Sequence, residues 1–414
     1  MKTLAGFALT LSLACAGALP TAAPEQAGLS PGRLARVNAV MRQHVESGRL
    51  AGASGLIARD GKVVFRETWG DLKPDSIVRM YSMTKAVTGV AAMILYEEGR
   101  FALSEPLSKY LPEFKEMRVA RESTGTGGKR IYYTVPADRA ITIRDLFRHT
   151  SGLDYNGPRD ETGEFAYKKL GLQGGAPKVN FDLAEAVRRL AGAPLVDQPG
   201  TTWRYGYSVD ILGRLVEVTS GQTLDRFCQE RIFAPLGMKD SGFFVPEEKW
   251  NRLAVLYAPK KGGGIERSQS PAQESFKKKP VLLLGGAGLV STLDDYARFC
   301  MMLLNGGQLD GARILGRKSV ELMRSDHLGK LARTGGALSD GDGFGLTFAI
   351  NLGPGKSAEV GSEGTFRWSG AAGTTFWIDP KEHMIAVFLI QVLPPRDIPA
   401  GQQFMRLSYQ ALVD

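Results

Sequence analysis

Ser82 and Lys85 form the pattern in this sequence with the clearest chemical potential. They open an apolar, helix-like run from Ser82 to Glu98, and a serine three positions before a lysine lies on the same face of a helix. The lysine amine then reaches the serine hydroxyl. Unpaired backbone N–H groups at a helix N-terminus also favour a developing oxyanion. The spacing predicts a nucleophilic serine with its activator, although an N-cap serine followed by a surface lysine has the same spacing.

Two later segments carry further polar aromatic residues beside glycine. Tyr205-Gly206-Tyr207 precedes a helical pattern, and Trp368-Ser369-Gly370 precedes a strand-like run from Thr374 to Ile378. Alone, Tyr205 is equally typical of a buried aromatic that caps a helix, and Trp368 of core packing at a strand start. Their meaning depends on whether the fold brings them to Ser82.

In this order, the segments resemble the serine β-lactamase-like superfamily, in particular its class C-like esterase branch. The resemblance runs from about Ser30 to the C-terminus. It rests on five stretches in the family's order, namely Tyr81–Lys85, Leu146–Leu153, Pro199–Gly213, Gly285–Thr292 and Trp368–Pro380.

The resemblance implies a role for each site residue. Ser82 is the acylated nucleophile, Lys85 shares or removes its proton, and Tyr205 is the partner base that also activates water. Such positioned proton transfer is typically worth ~10²–10⁴ in rate. The backbone N–H groups of Ser82 and Ala371 form the oxyanion hole that the resemblance implies.

The sequence departs from the family pattern at two positions. Tyr207 stands where β-lactamases and penicillin-binding proteins carry asparagine, and Trp368-Ser369-Gly370 stands where they carry Lys-Thr-Gly. An indole offers an apolar wall and one N–H donor in place of a charge. We therefore expect Tyr207, Trp368 and Gly370 to bind substrate, and we expect an esterase for small uncharged acyl groups with weak β-lactam hydrolysis.

Several other functions share this nucleophile. They are a β-lactamase, a D-amino-acid amidase or peptidase, an acyltransferase, and a non-catalytic penicillin-recognising binding or assembly protein. Other catalytic schemes fit less well, because the sequence has no Gly-x-Ser-x-Gly elbow. His149 next to Thr150-Ser151 is a structural turn by the resemblance, and Gly355-Lys356-Ser357 lacks the first glycine of a phosphate loop.

Length and composition suit one large domain or two lobes. The chain has 414 residues, of which 43% are hydrophobic and 23% charged. Strand-like patterns at both ends enclose a mainly helical stretch, in which residues 123–138 are predicted to be a loop. The prediction is an α/β (α+β) fold over residues 30–414, in which N- and C-terminal segments form one antiparallel sheet flanked by helices, with an inserted all-helical lobe.

The N-terminus predicts a signal peptide over residues 1–23 and therefore a secreted or periplasmic protein. Lys2 precedes an apolar run from Leu4 to Ala18, with cleavage expected after Ala18 or, as a second choice, after Ala23. Cys15 lies in a weak lipobox-like context, so lipid anchoring is the less favoured alternative.

The resemblance implies a small-molecule ester or amide as partner, and the composition points to no other. The net charge of +9 is concentrated in a Gly/Ser/Lys-rich segment, residues 260–279, which is typical of a solvated loop and not of a nucleic-acid site. No metal-ligand spacing and no cofactor motif is present. The apolar run of the predicted signal is too short for a comfortable membrane span, so no stable span is predicted. Cys228 and Cys300 are predicted to be small buried hydrophobes, with one disulfide as the alternative.

Overall fold

The fold is described by a computed structural model for residues 17–159, 162, 164–171, 179–334, 336–395 and 398–414. The strands of this part of the chain are β1 (Gly52–Arg59), β2 (Lys62–Gly70), β3 (Val78–Arg79), β4 (Arg118–Thr124), β5 (Arg130–Pro136), β6 (Thr202–Arg204), β7 (Tyr257–Pro259), β8 (Ile265–Arg267), β9 (Val290–Ser291), β10 (Gln308–Leu309), β11 (Ala312–Arg313), β12 (Ala332–Thr334), β13 (Asp342–Phe344), β14 (Ala349–Asn351), β15 (Phe366–Ser369), β16 (Thr375–Asp379) and β17 (Met384–Leu389).

Helices make up much of the rest. The α-helices are α1 (Pro31–Glu46), α2 (Thr84–Glu97), α3 (Ile143–Phe147), α4 (Leu183–Ala191), α5 (Ser208–Ser220), α6 (Leu224–Cys228), α7 (Ala234–Leu236), α8 (Ala272–Ser275), α9 (Leu293–Leu304), α10 (Arg317–Met323) and α11 (Ala400–Tyr409). A π-helical turn, Gln229–Phe233, links α6 to α7. Short 3₁₀ turns lie at Pro24–Ala27, Tyr81–Met83, Leu107–Lys109, Pro112–Phe114, Thr126–Gly128, Ala166–Leu170 and Glu247–Arg252.

Two distant parts of the chain build the central sheet. Its seven strands follow the order β13-β14-β15-β16-β17-β1-β2, and every neighbouring pair is antiparallel. β1 therefore lies between β2, which follows it in the chain, and β17, the last strand of the described residues. Ser54 of β1 lies opposite Leu389 of β17. A tight hairpin joins β1 to β2, and Asp60 and Gly61 at its turn both adopt the positive φ that such hairpins favour. The predicted sheet of terminal segments is confirmed.

Helices cover both faces of this sheet. Successive residues of a strand point to opposite faces, so Leu56 packs into the core that contains α2 and α9, and Ile57 into the core beneath α1 and α11. All eight residues of β1 are buried as a result. The two ends of the described chain also meet, because Ser30 N–H donates to the carbonyl of Ala411 at 2.8 Å.

The insertion between β2 and β13 corrects one part of the prediction. It carries the helices expected there, but it is not all helical, because five two-stranded sheets also lie within it. Residues 123–138, expected to be a loop, contain the end of β4 and all of β5. These strands are largely exposed on both faces, so their sequences lack the apolar alternation that would have revealed them.

The predicted signal peptide is only partly within the described residues. Residues 1–16, with Cys15, lie outside them, so cleavage and lipid anchoring remain predictions. Thr21, at the second cleavage choice, forms a parallel bridge with Val63 of β2. No helix in the described part of the chain is long and apolar enough to cross a membrane. Cys228 and Cys300 are buried and free.

Candidate active site

A strained turn presents Ser82 at the start of α2. The predicted helix from Ser82 begins instead as a 3₁₀ turn, Tyr81–Met83, with the α-helix starting at Thr84. Tyr81 has φ +45°, a left-handed conformation that bulky residues rarely adopt and that costs about 1–3 kcal/mol. Burial of the Tyr81 side chain, with its ring against Phe276, holds the turn. Ser82 is partly exposed while its two neighbours are buried, so its hydroxyl is accessible.

Lys85 is buried and fully engaged through its side-chain nitrogen. Its Nζ donates to Ser82 Oγ at 3.3 Å, to the Tyr155 hydroxyl at 2.9 Å and to the Gly286 carbonyl at 2.7 Å. An ammonium group has three donors, and each has an acceptor here. The pairing of Ser82 with Lys85 expected from their spacing is therefore present in the structure.

Tyr155 is a site residue that the sequence analysis did not predict. It lies in the loop after α3, its hydroxyl accepts from Lys85 at 2.9 Å, and its ring lies edge-on to that of Tyr205 with the centres 5.3 Å apart. Burial, followed by the proximity of Tyr205 and Asp210, raises the pKa of Tyr155 well above its ordinary value. Its phenol therefore stays protonated at neutral pH. The only local sequence feature that could have indicated Tyr155 as a site residue is its place just after Leu146–Leu153, a stretch on which the family resemblance rests.

Tyr205 and Trp368 meet next to Lys85. The Trp368 indole N–H donates to the Tyr205 hydroxyl at 3.3 Å. Lys85 Nζ lies 4.6 Å from the centre of the Tyr205 ring, so the cation faces the ring. The fold thus brings all three sequence segments together. The role of Tyr205 as partner base remains a prediction, and the tyrosine whose hydroxyl is bonded directly to Lys85 is Tyr155.

Gly370 brings the turn that contains Ala371 against the Ser82 turn. A Cβ on Gly370 would lie 2.3 Å from the carbonyl oxygen of Met80, two residues before Ser82. This approach is possible only because glycine has no side chain. Ala371 lies exposed in the turn that follows β15. The placement is compatible with the predicted oxyanion hole, which stays a prediction.

Tyr207 lies behind the site and not at its surface. Only 4% of the residue is exposed, and its ring centre is 4.8 Å from that of Tyr155 in an edge-on arrangement. It also packs near Tyr167. Tyr207 therefore supports Tyr155 in the structure, and direct contact with substrate remains a prediction.

Asp210 fixes the backbone at Gly286, which in turn binds Lys85. Asp210 is 3% exposed, and its Oδ1 accepts the Gly286 N–H at 2.9 Å. The carbonyl of the same Gly286 accepts from Lys85. Burial raises the pKa of Asp210, while the Lys85 charge acts in the opposite direction. Asp210 could not be predicted from the sequence, because its link to Lys85 passes through the backbone of Gly286, far from both residues in the chain.

His149 packs beside the site. Its ring centre is 5.0 Å from that of Tyr205, and neither ring nitrogen has a hydrogen-bond partner among the described residues. Burial, and then the charge of Lys85, hold the pKa of His149 well below its ordinary value. The imidazole is therefore neutral. In the described part of the chain, no cluster of three or more His, Cys, Asp or Glu side chains could hold a metal ion.

Comparison with known proteins identifies the family to which this site and fold belong. The model of the beta-lactamase family matches residues 37–410. This chain therefore belongs to the beta-lactamase family, and the expected β-lactamase-like fold is confirmed. It is a serine hydrolase related to the β-lactamases.

Similar proteins cover nearly the whole chain. Protein Rv1367c of Mycobacterium tuberculosis is 34% identical over 90% of this chain and 98% of its own length. Esterase EstB of Burkholderia gladioli is 31% identical over 83% of this chain and 87% of its own. Among solved structures, EstCE1, a hydrolase with promiscuous acyltransferase activity, has a TM-score of 0.75 and 25% identity, covering 91% of this chain and 98% of EstCE1.

Proposed function

We propose that this chain hydrolyses carboxylic esters of small uncharged acyl groups through an acyl-enzyme on Ser82. The observation that carries the proposal is the 3.3 Å hydrogen bond between Lys85 Nζ and the accessible Ser82 hydroxyl. The similarity to the esterase EstB supports esters as the substrate class.

In the proposed acylation, Lys85 reacts as the neutral amine, in which a lone pair faces Ser82 Oγ in place of the N–H that the ammonium form donates there. It takes the proton of Ser82 Oγ while that oxygen attacks the ester carbonyl carbon, and the carbonyl electron pair moves to the oxygen. The N–H groups of Ser82 and Ala371 stabilise this oxyanion, and loss of one such donor typically costs on the order of 10²–10³ in turnover. The bond between the former carbonyl carbon and the alkoxy oxygen of the ester then breaks. The proton that Lys85 took from Ser82 passes to this oxygen, and the alcohol departs.

Deacylation reverses these proton movements with water as the nucleophile. Tyr205, as partner base, takes a proton from the attacking water while its own hydroxyl proton passes to the neutral amine of Lys85, which faces its ring. The proton finally returns to Ser82 Oγ as the carboxylic acid leaves. Trp368 donates to the Tyr205 oxygen at 3.3 Å and so orients this hydroxyl beside Lys85.

Trp368 also supports the preference for uncharged substrates. In β-lactamases, the equivalent lysine supplies positive charge that binds a substrate carboxylate. The indole of Trp368 is neutral and donates its N–H to the Tyr205 hydroxyl, and only 7% of the residue is exposed. A β-lactam carboxylate would lose its ion pair at this position, whereas a neutral ester loses nothing.

The test compares the parent protein, Ser82→Ala and Ser325→Ala on p-nitrophenyl butyrate and on nitrocefin. Ser325 is an exposed serine after α10 and serves as the matched control. We expect ester turnover in the parent and in Ser325→Ala, its loss in Ser82→Ala, and little nitrocefin hydrolysis. Dominant nitrocefin hydrolysis would favour a β-lactamase. Silence on both substrates would favour an amidase or a binding protein.

A second candidate is an acyltransferase, favoured by the similarity to EstCE1. An alcohol would then replace water in deacylation at the same acyl-enzyme. Product analysis with p-nitrophenyl butyrate and added alcohol separates the two functions. A butyrate ester as the main product at low alcohol concentration would favour transfer, and free butyrate would favour hydrolysis.

A further inference from the structure

β4 and β5 form a two-stranded ribbon that projects from the insertion. They pair from Arg118 opposite Pro136 to Thr124 opposite Arg130. Val119 is the one buried residue of the two strands, and the backbone around it is fixed by a bridge to Leu195. An isolated two-stranded ribbon is marginally stable in water. A surface that covered the ribbon would therefore stabilise it.

The ribbon exposes two large apolar side chains on one face. Ile131 and Tyr133 are each 48% exposed, and they are alternate residues of β5. Their cross-strand neighbours are Ser123 and Arg121. Within the described residues, the other large hydrophobic side chains exposed to this degree do not form such an alternate pair on one strand. The pair therefore forms a small apolar face with a cationic edge.

The ribbon is also strongly basic. Residues 118–136 carry four basic side chains, Arg118, Arg121, Lys129 and Arg130, and one acidic side chain, Glu122. Glu122 pairs with Arg130 at 3.2 Å. The excess positive charge is complementary to an anionic surface. Arg121 lies on the same face as Ile131 and Tyr133, Lys129 lies in the turn between the strands, and Arg118 and Arg130 lie on the opposite face.

The ribbon adjoins the loop that carries Tyr155. Ala120, Arg121 and Tyr132 line a cavity of about 320 Å³ together with Asp154 and Asn156, the two neighbours of Tyr155. A surface bound by the ribbon would therefore lie close to one side of the site loop.

We propose that the ribbon binds an anionic lipid surface, with Ile131 and Tyr133 at the depth of the headgroups and Arg121 and Lys129 on lipid phosphates. Tyrosine suits this depth because its ring is apolar and its hydroxyl polar. Basic residues near an anionic membrane add electrostatic attraction. A nucleic acid would also attract the charges, but Ile131 has no aromatic face on which a base could stack.

The test measures co-sedimentation of the full chain with vesicles. Vesicles of phosphatidylcholine alone are compared with vesicles that also contain phosphatidylglycerol, and Ser82→Ala is introduced throughout so that no lipid is consumed. We expect binding to the anionic vesicles that falls as salt rises. Ile131→Ser/Tyr133→Ser should lower the partition coefficient about tenfold, because it removes the apolar contribution to binding.

Two controls make the result specific to the ribbon. Val218→Ser removes a comparably exposed apolar side chain, 40% exposed, from α5 and should leave binding unchanged. Lys260→Gln/Lys261→Gln lowers the charge of the basic loop and should have little effect. The proposal is overturned if anionic vesicles are not bound, if the double ribbon variant binds like its parent, or if only the loop variant loses binding. None of these readouts depends on ester hydrolysis.

Discussion

At the residue scale, the site depends on how the donors of Lys85 are shared. Ser82, Tyr155 and Gly286 each accept one hydrogen bond from its Nζ. A buried amine with fixed acceptors cannot rotate away from the nucleophile, so proton transfer to it needs little reorganisation. Tyr155 makes the shortest side-chain bond of this group and is therefore the best point at which to test it.

Tyr155→Phe should lower kcat/KM for p-nitrophenyl butyrate by roughly 10²-fold, at the lower end of typical effects of positioned proton transfer. The change removes the hydroxyl that accepts from Lys85, but it keeps the ring that packs on Tyr205. Tyr110→Phe is the control, since its hydroxyl bonds Glu105. Equal activity of the two variants would show that Lys85 needs no help from Tyr155.

At the element scale, α9 begins with a carboxyl group in an unusual state. Asp295 lies in its first turn, and burial raises its pKa to about 6. Its Oδ2 accepts from Asp240 N–H and Ser241 Oγ. Because the folded pKa exceeds the unfolded value, the folded state binds the proton more tightly between about pH 4 and pH 6. Stability should fall as pH rises through this range, by at most about 3 kcal/mol.

Asp295→Asn should therefore stabilise the protein above pH 6 relative to the parent, with a much smaller gain near pH 4. The amide oxygen still accepts both hydrogen bonds, while the buried charge is gone. Urea unfolding at pH 4.5 and pH 7.5 measures the difference. Asp294→Asn is the control at the neighbouring position, whose side chain is half exposed and pairs with Arg66. A gain that is independent of pH would contradict the expected linkage.

How far the sequence predicts each element depends on how local its pattern is. The Ser82–Lys85 pair and the Asp60–Gly61 turn are set by neighbouring residues, so their geometry could be predicted. The bond from Lys85 to Tyr155 joins residues far apart in the chain, and no periodic pattern marks it. The ribbon was missed because its strands are exposed on both faces and their turn is rich in glycine, as in Gly127 and Gly128.

At the scale of the whole molecule, the site lies where the C-terminal strands meet the start of the insertion. Gly370 touches the carbonyl of Met80, and Thr374 Oγ1 donates to the same carbonyl at 3.4 Å. The family resemblance placed these segments in one site, whereas composition and periodicity alone could not. The distance between the C-terminal strands and the Ser82 turn depends on the close approach of Gly370 to the Met80 carbonyl.

Gly370→Ala should reduce turnover on the order of 10²-fold, because its Cβ would push the Ala371 N–H away from the Ser82 turn. Gly401→Ala is the matched control, since a Cβ there would make ordinary contact with Thr375 at 3.5 Å. Circular dichroism and thermal unfolding establish that both variants fold. Full activity in Gly370→Ala would remove Ala371 from the oxyanion hole.

The position of β1 also has a consequence for how the chain folds. This strand lies between β2 and β17, so one of its partners follows immediately and the other is the last strand of the described residues. During synthesis, the apolar residues of β1 have no complete partner surface until β17, at Met384–Leu389, has been made. Pairings between such distant segments are slow to form. The nascent chain therefore spends its longest interval with an open strand edge, which is the stage most exposed to aggregation and to assistance by chaperones.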